Sequence, residues 1–297
     1  MSKLFLTGGS GFLGSRVLER LARRGSPVIA LDRSGSLKNP QVSIVSGDLL
    51  SPDKYRQKLA ETDIVVHLAA STGRATRDEH FRINTHGTEV LVSECLRAGI
   101  RRMLFVSSIA AKISDKTSYY YAQAKMRAEE IVRASGLRFS IVRPTIILGQ
   151  GSPILSALER LANLPVIPVF GSGTAKVQPI YVDDVADFIV TILERDMFDG
   201  RTFELGGPAV LTMEELIQAI RRARKGHRGT AMHVPLTLMI PAMRAAETIG
   251  FGKVLPFSVG QLSPFCYDTT IEPNDLYESR RATLRDVSQM LALSFAA

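Results

Sequence analysis

The chain has no tryptophan, only two cysteines in 297 residues, and an aromatic content of 7%. Cys95 and Cys266 supply neither a disulfide framework nor a cysteine-based metal cluster. That usage suits a reducing compartment, and a cytoplasmic setting is expected. Cys95 lies in a helical pattern with Leu91, Val92 and Leu96 and reads as a buried core thiol. Long apolar runs are missing too. The longest, Val234 to Met243, is interrupted by Pro235 and Pro241 and is too short to span a bilayer. The first residues lead straight into a candidate strand, so no secretory leader is expected. Internal repeats and low-complexity tracts are absent. Without tryptophan or a stripe of interleaved basic and aromatic residues, a nucleic-acid surface is not expected. A formal charge of +8 nevertheless favours anionic ligands or surfaces. The densest basic run, Arg221 to Arg228, ends a helical pattern, where cations suit the helix dipole. It reads as a solvated helix end, with peripheral contact to anionic lipid or a partner as the alternative.

What is present is rhythmic. Hydrophobic residues make up 45% of the chain, ample for a core. Candidate strands at 3–7, 28–32, 42–46, 64–68, 103–107 and 139–143 alternate with helical patterns, notably 85–98 and 119–134. Gly25, Gly99 and Gly136 sit where helices should stop. This alternation predicts an α/β fold with a doubly wound parallel sheet. After Pro144 the rhythm loosens. Residues 1–150 are expected to form a dinucleotide-binding domain and 151–297 mainly a smaller substrate-binding part, with 175–195 returning to the main sheet. Thr212-Met213-Glu214-Glu215 reads as a capping box that starts a helix. The apolar stretches Val234–Met243 and Val254–Phe265 read as core and lid, or as a pocket for a lipid-like ligand.

The first strand runs into Thr7-Gly8-Gly9-Ser10-Gly11-Phe12-Leu13-Gly14 and then an amphipathic helix. Strand, glycine turn and helix form the context a pyrophosphate site requires. Gly8 and Gly11 allow a tight turn and close approach, and Gly14 allows helix packing. The backbone N–H groups of this turn, through Ser10, Phe12 and Leu13, then face the phosphates at the positive end of the helix dipole. Asp32 ends the second strand, about twenty residues past the turn, where a carboxylate accepts hydrogen bonds from the adenosine ribose. It would repel a 2′-phosphate and so favours NAD. Arg33 beside it keeps NADP open as a cofactor. Asp48 either bonds the adenine amino group or merely caps the following turn.

Ser107-Ser108 closes the fifth candidate strand, and Tyr121 and Lys125 stand four apart on a helix, sharing a face. A nearby ammonium, together with a positive nicotinamide ring, favours a phenolate and lowers a tyrosine pKa from its usual value near 10. Tyr121 can then exchange a proton with an alcohol or carbonyl oxygen near neutral pH, while Ser108 hydrogen-bonds the same oxygen.

Together these pieces resemble the short-chain dehydrogenase/reductase superfamily in its extended, epimerase-like branch. The matching motifs occur in order over roughly residues 1–190: the Thr7–Gly14 turn, Asp32, Gly47-Asp48-Leu49, His67-Leu68-Ala69-Ala70, Asn84-Thr85-His86-Gly87-Thr88, Ser107-Ser108, Tyr121 with Lys125, Arg143-Pro144 and Tyr181-Val182-Asp183-Asp184-Val185-Ala186. The resemblance implies a Rossmann domain, a bound nicotinamide cofactor and a Ser108/Tyr121/Lys125 catalytic set. It also implies a cofactor channel lined by Leu49, Leu68, Ala69, Ala70, Ser107, Pro144 and Thr145, with Asn84 fixing the middle helix. Dimerisation through 85–98 and 119–134 is common among relatives, although monomers occur.

Three departures shape the functional expectation. Ser108 and Tyr121 are only thirteen residues apart, so the long substrate-covering loop of many nucleotide-sugar members is missing. The stretch Lys176-Val177-Gln178-Pro179-Ile180 lacks the arginine that grips a diphosphate in those members, and Lys176 is only a point charge. Ser108-Ile109-Ala110 lacks the acidic pair of dehydratases. The run from Gly171 to Ala186 also resembles atypical members related to an accessory subunit of respiratory complex I, some of which have lost catalytic residues. The expected function is an NAD(P)-dependent oxidoreductase acting on a secondary alcohol or ketone. A nucleotide-sugar epimerase with tightly held NAD and a silent nucleotide-binding subunit are the alternatives. Arg74 and Arg77 are candidates to hold an anionic substrate.

Overall fold

The computed structural model describes residues 2–237, 239, 243 and 262–296. Much of Val234–Met243 and of Val254–Phe265 therefore lies outside the described residues. The chain forms two compact units.

The first unit takes the chain up to Lys112, then Tyr121–Pro144 and Val182–Leu205. Its centre is a seven-stranded parallel sheet of β1 (Leu4–Thr7), β2 (Val28–Asp32), β3 (Ser43–Ser46), β4 (Ile64–His67), β5 (Arg102–Val106), β6 (Arg138–Pro144) and β7 (Thr202–Leu205). The spatial order is β7-β6-β5-β4-β1-β2-β3. β1, β2 and β4 are buried along their whole length, which is why they read as continuous apolar runs. Phe5, Ile29, Val65, Met103, Phe105 and Ile141 supply much of the core on one side, with Leu91, Cys95, Ala128 and Val132 of the covering helices. The strand order reverses between β1 and β4, and ligands of such sheets bind outside the strand carboxyl ends at that switch point.

Helix α1 (Phe12–Arg23) buries Val17, Leu18 and Leu21. Arg20 on it pairs with Asp183 at 3.1 Å and with Asp187 at 2.6 Å. These carboxylates belong to the helix Val182–Glu194, which packs against α1 within this unit. The middle helix starts earlier than its apolar pattern suggests. Thr76 and Glu79 form a reciprocal cap at Arg77, and a wide π turn over Phe81–His86 leads into Gly87–Arg97. Such turns are costly and cluster at functional positions; this one carries Asn84.

The second unit takes Ile113–Tyr120, Thr145–Tyr181 and the chain from Gly206 onward. It is built from short pairings. Ile180–Tyr181 lies parallel to Ile147–Leu148, Leu211–Thr212 antiparallel to Lys176–Val177, and Thr230–Val234 parallel to Val166–Phe170. The expected capping box is present: Thr212 Oγ1 accepts from Glu215 N–H at 3.1 Å, and Glu215 accepts from Thr212 N–H at 2.8 Å. It opens the helix Met213–Lys225. No helix among the described residues is long and apolar enough to cross a membrane.

Candidate active site

The glycine turn is crowded in the way a phosphate cradle requires. Gly8 adopts φ +76°, a conformation that side chains disfavour. A Cβ there would lie 2.5 Å from the amide nitrogen of Ala69. A Cβ on Gly14 would lie 1.9 Å from the carbonyl oxygen of Gly8, so Gly14 makes room for the turn itself. Gly11 N–H donates to Gly8 O at 3.0 Å, and Gly11 caps α1 with no side-chain hydrogen bond. The loops after β1 and β4 thus meet backbone to backbone at the switch point. Leu68, Ala69 and Ala70 are half-buried there, Ser10 is exposed, and Phe12 and Leu13 are half-buried.

Asp32 is buried at the end of β2. Burial pulls its carboxyl upward in pKa. Hydrogen bonds from Leu37 N–H, from the hydroxyl and N–H of Ser34, and from Ser10 outweigh that and hold it below the usual carboxylate range. The site therefore keeps a fixed negative charge. Arg33 is exposed, 4.0 Å from Asp48. Asp48 accepts from Leu50 N–H at 2.8 Å, closing a local turn, and Leu49 directs its side chain into the core.

A chain of hydrogen bonds ties these loops to the middle helix. Thr88 Oγ1 donates to Asn84 O at 2.7 Å, so it accepts from His67 Nε2 at 3.0 Å. His67 Nδ1 then accepts from Thr7 Oγ1 at 2.7 Å, and Thr7 Oγ1 accepts from Ala69 N–H at 3.3 Å. Burial, with Lys125 nearby, drives the His67 pKa down to about 3, so the ring is neutral. The Asn84 side chain clamps Ser71, accepting from its N–H at 2.7 Å and donating to its carbonyl at 2.9 Å. His80 donates to the same carbonyl from Nδ1 at 3.2 Å and packs its ring edgewise on Tyr121, 5.7 Å between centroids. His80 was not legible as a site neighbour; its only sequence signal is its position one helical turn before Asn84.

The Tyr121 hydroxyl hydrogen-bonds with Ser108, at the carboxyl end of β5. The expected lowering of the Tyr121 pKa by Lys125 does not arise from the protein's own groups. Desolvation pushes Tyr121 up to about 12, against a smaller downward pull from the Ser108 hydrogen bond. Lys125 is itself buried, and desolvation takes it from 10.5 down to about 7 against the field of Glu129. Its ammonium donates to Val106 O at 2.7 Å and lies 4.6 Å from the Phe105 ring centroid. A dry site has weakened both charges. Glu129, one turn beyond Lys125, is held by a two-pronged pair with Arg143 at 2.8 and 2.6 Å, and Arg143 also reaches Glu204 at 3.3 Å. The sequence showed Arg143 only as a motif letter; its pairing is long-range.

Two observations bear on whether a dinucleotide fits. The Gly8 and Gly14 cradle admits backbone only, and the buried Ser107 hydroxyl has no hydrogen-bond partner among the described residues. Such an orphaned hydroxyl calls for a ligand or water partner. Both features fit the cofactor. Pro144 ends β6 in the first unit, buried. Thr145 begins the second unit, where its hydroxyl donates to Gln178 O. Arg77 stacks over Phe81 at 5.4 Å. Among the described residues no cluster of His, Cys, Asp and Glu is arranged to hold a metal.

Lys125 makes a pH signature. The unfolded chain binds a proton that the folded protein lacks between about pH 7 and 10.5, so this residue makes stability rise with pH in that window. Above about pH 10 Tyr121 opposes it, because an unfolded tyrosine ionises first. Lys125→Met is expected to flatten the rise between pH 7 and 10. Urea unfolding at several pH values checks this; an unchanged slope would assign it to other groups.

Comparison with known proteins follows the geometry. The family model described as "NAD dependent epimerase/dehydratase family" matches residues 4–206. The mitochondrial NADH dehydrogenase [ubiquinone] 1 alpha subcomplex subunit 9 of Arabidopsis thaliana is 30% identical over 290 residues, covering 91% of this chain and 71% of that protein. Ceramide reductase of Caulobacter vibrioides is 32% identical over 190 residues, covering 62% and 59%. The crystal structure of gox2253 superposes with a TM-score of 0.77 at 22% identity, covering 99% of this chain and 97% of that one, which speaks for the fold. Epimerases and dehydratases also occur among the matches. The Rossmann-type parallel sheet, the extended short-chain dehydrogenase/reductase resemblance and the matched family agree: the chain belongs to the NAD-dependent epimerase/dehydratase family.

Proposed function

We propose that the protein is an NAD-dependent oxidoreductase that moves a hydride between C4 of nicotinamide and a secondary alcohol or ketone. The observation that carries this reading is the Ser108–Tyr121 hydroxyl pair, with buried Lys125 one helical turn beyond Tyr121. The bound dinucleotide supplies or accepts the hydride. Ser108 Oγ–H donates to the substrate oxygen, and Tyr121 Oη–H delivers the proton that makes the alcohol. Lys125 holds positive charge under the phenolate this leaves and anchors the ribose. Within this reading the first unit holds the cofactor through Gly8, Ser10, Gly11, Phe12, Leu13, Gly14, Asp32 and Ser107, and the second selects the substrate. The ionised Asp32 favours NAD. NADP is the second choice, through Arg33.

The substrate follows from Gln178. In the diphosphate-gripping members an arginine occupies this stretch. Here Gln178 is buried, donates to Gly207 O at 2.7 Å, and accepts from Ile271 N–H at 3.1 Å. Its amide is spent on the second unit's own backbone. A ketone without a nucleotide diphosphate is therefore favoured over a nucleotide sugar. The named activity of the Caulobacter relative makes a lipid-like ketone the first class to try.

Purified protein assayed with NADH against short- and long-chain ketones and against nucleotide sugars is expected to consume NADH with a ketone. Nucleoside diphosphates are expected to leave the melting temperature of the NAD-loaded protein unchanged. Interconversion of a nucleotide sugar without net NADH change would replace this reading with epimerisation. Cofactor binding with no turnover on any carbonyl would replace it with a silent subunit.

A further inference from the structure

The basic run and several exposed apolar side chains converge on one end of the second unit. The helix Met213–Lys225 stops at Gly226, which adopts φ +77°. The turn that follows is fixed in place: Gln218 donates to Gly229 O at 2.9 Å and accepts from Gly229 N–H at 3.0 Å. Buried Arg221 donates to Ala162 O at 2.8 Å and Leu164 O at 2.6 Å, and Lys225 donates to Asn163 O at 3.1 Å. These bonds hold the basic turn against the segment 163–166, which is exposed throughout. Leu164 is 42% exposed and Val166 44%.

From there two parallel strands run side by side, with Val166 opposite Thr230 and Pro168 opposite Met232. Strand alternation puts Val166, Pro168, Thr230 and Met232 on one face. Ile167 and Val169 are buried on the other, and Met232 is 55% exposed. Of the acids on these segments, Glu159 pairs with Arg224 at 2.6 Å, Glu214 hydrogen-bonds His233 at 3.1 Å, and Glu215 caps the start of the helix, at the end away from the basic turn. Arg222, Lys225 and Arg228 are exposed, and no ion pair is recorded for them among the described residues. The result is exposed apolar side chains on a paired ribbon that begins beside a basic turn.

We propose that this face, formed by Leu164, Val166, Met232, Arg222, Lys225 and Arg228, docks the protein on an anionic phospholipid bilayer. The complementarity has two parts. Cations gain from the negative surface potential, and the apolar side chains gain from leaving water at the headgroup boundary. A nucleic acid would use the first part only. The proposal does not depend on the catalytic reading.

The test is co-sedimentation of the full chain with vesicles of phosphatidylcholine alone or with phosphatidylglycerol added. Binding is expected only to the anionic vesicles and is expected to weaken with salt. Each cation near the surface contributes ~5-fold to partitioning. The triple change Arg222→Gln, Lys225→Gln, Arg228→Gln should therefore cut partitioning by ~100-fold, while Arg23→Gln, Lys58→Gln, Arg195→Gln, with the same charge loss, should cut it far less. Val166→Ser with Met232→Ser should weaken vesicle binding at unchanged charge and leave heparin retention unaltered. No binding of the wild-type protein to anionic vesicles would overturn the proposal, as would equal losses from the two triples. Indifference of vesicle binding to the Val166 and Met232 changes would also overturn it, in favour of a general polyanion site.

Discussion

Replacing Tyr121 by phenylalanine is expected to lower turnover by ~10²-fold or more while leaving NAD affinity close to that of the native protein. A hundredfold loss corresponds to ~2.7 kcal/mol of transition-state stabilisation. The change removes one hydroxyl and keeps the ring that packs on His80. The hydroxyl hydrogen-bonds with Ser108, and a high pKa in the resting site makes it a good proton holder. It becomes a good donor when an alkoxide develops on the substrate oxygen. Lys125 is expected to keep its bond to the Val106 carbonyl in the variant, and with it the proposed contact with the ribose. Steady-state rates on the best ketone of the panel, together with cofactor affinity from NADH fluorescence, check both halves. Turnover within a few-fold of the native rate would remove Tyr121 from the chemistry. Parallel loss of cofactor binding would make it a structural residue.

Gly14→Ala is expected to destroy cofactor binding by disrupting the protein, and Gly11→Ala to weaken it without disruption. A Cβ at 14 would overlap the Gly8 carbonyl, which is backbone and cannot swing aside. Overpacking of this kind costs ~1–3 kcal/mol and displaces the turn. The Gly14 variant should therefore melt lower and lose at least tenfold in NAD affinity. At Gly11 a Cβ would meet the same oxygen at 3.2 Å, and φ is an ordinary −77°. The chain itself tolerates that with small adjustment, so any fall in NAD affinity there reports the closeness of the phosphates. Thermal melts with and without NAD separate the two. If both variants bound NAD normally, the turn would not be the phosphate cradle.

Much of this was legible in the sequence because the central sheet is parallel and covered on both sides. Most of its strands are short apolar runs, and the boundaries of six came out within a residue or two; the seventh, Thr202–Leu205, was not picked out. The glycine turn, Asp32, Ser108, Tyr121 and Lys125 each sit at a strand end or on one helix face, so local spacing suffices to place them. The misplaced start of the middle helix is instructive. Apolar periodicity begins near Thr85, but Thr76 and Glu79 already carried a cap signature. What spacing cannot show is partnership at a distance. Glu129 with Arg143, His67 with Thr7 and Thr88, and Asn84 with Ser71 join residues far apart in the chain. The upward pull on the Tyr121 pKa in the protein alone was illegible for the same reason, since its desolvation is a property of the whole unit. In the second unit strands of two to five residues pair across long separations, such as Val166–Phe170 with Thr230–Val234. Neither period nor length announces them.

The neutral imidazole in the middle of the sheet has a consequence for exchange with solvent. Amide protons of connecting loops ordinarily trade with deuterium in moments. Those of Leu68, Ala69 and Ser71 are held by Thr7 O, Thr7 Oγ1 and Asn84 Oδ1; Thr7 Oγ1 is braced by His67, and the Asn84 backbone carbonyl accepts from Thr88. A loop segment at the strand ends thereby inherits the slow deuterium uptake of a β-sheet interior, with its kinetics governed by cooperative opening of β1, β4 and the middle helix together.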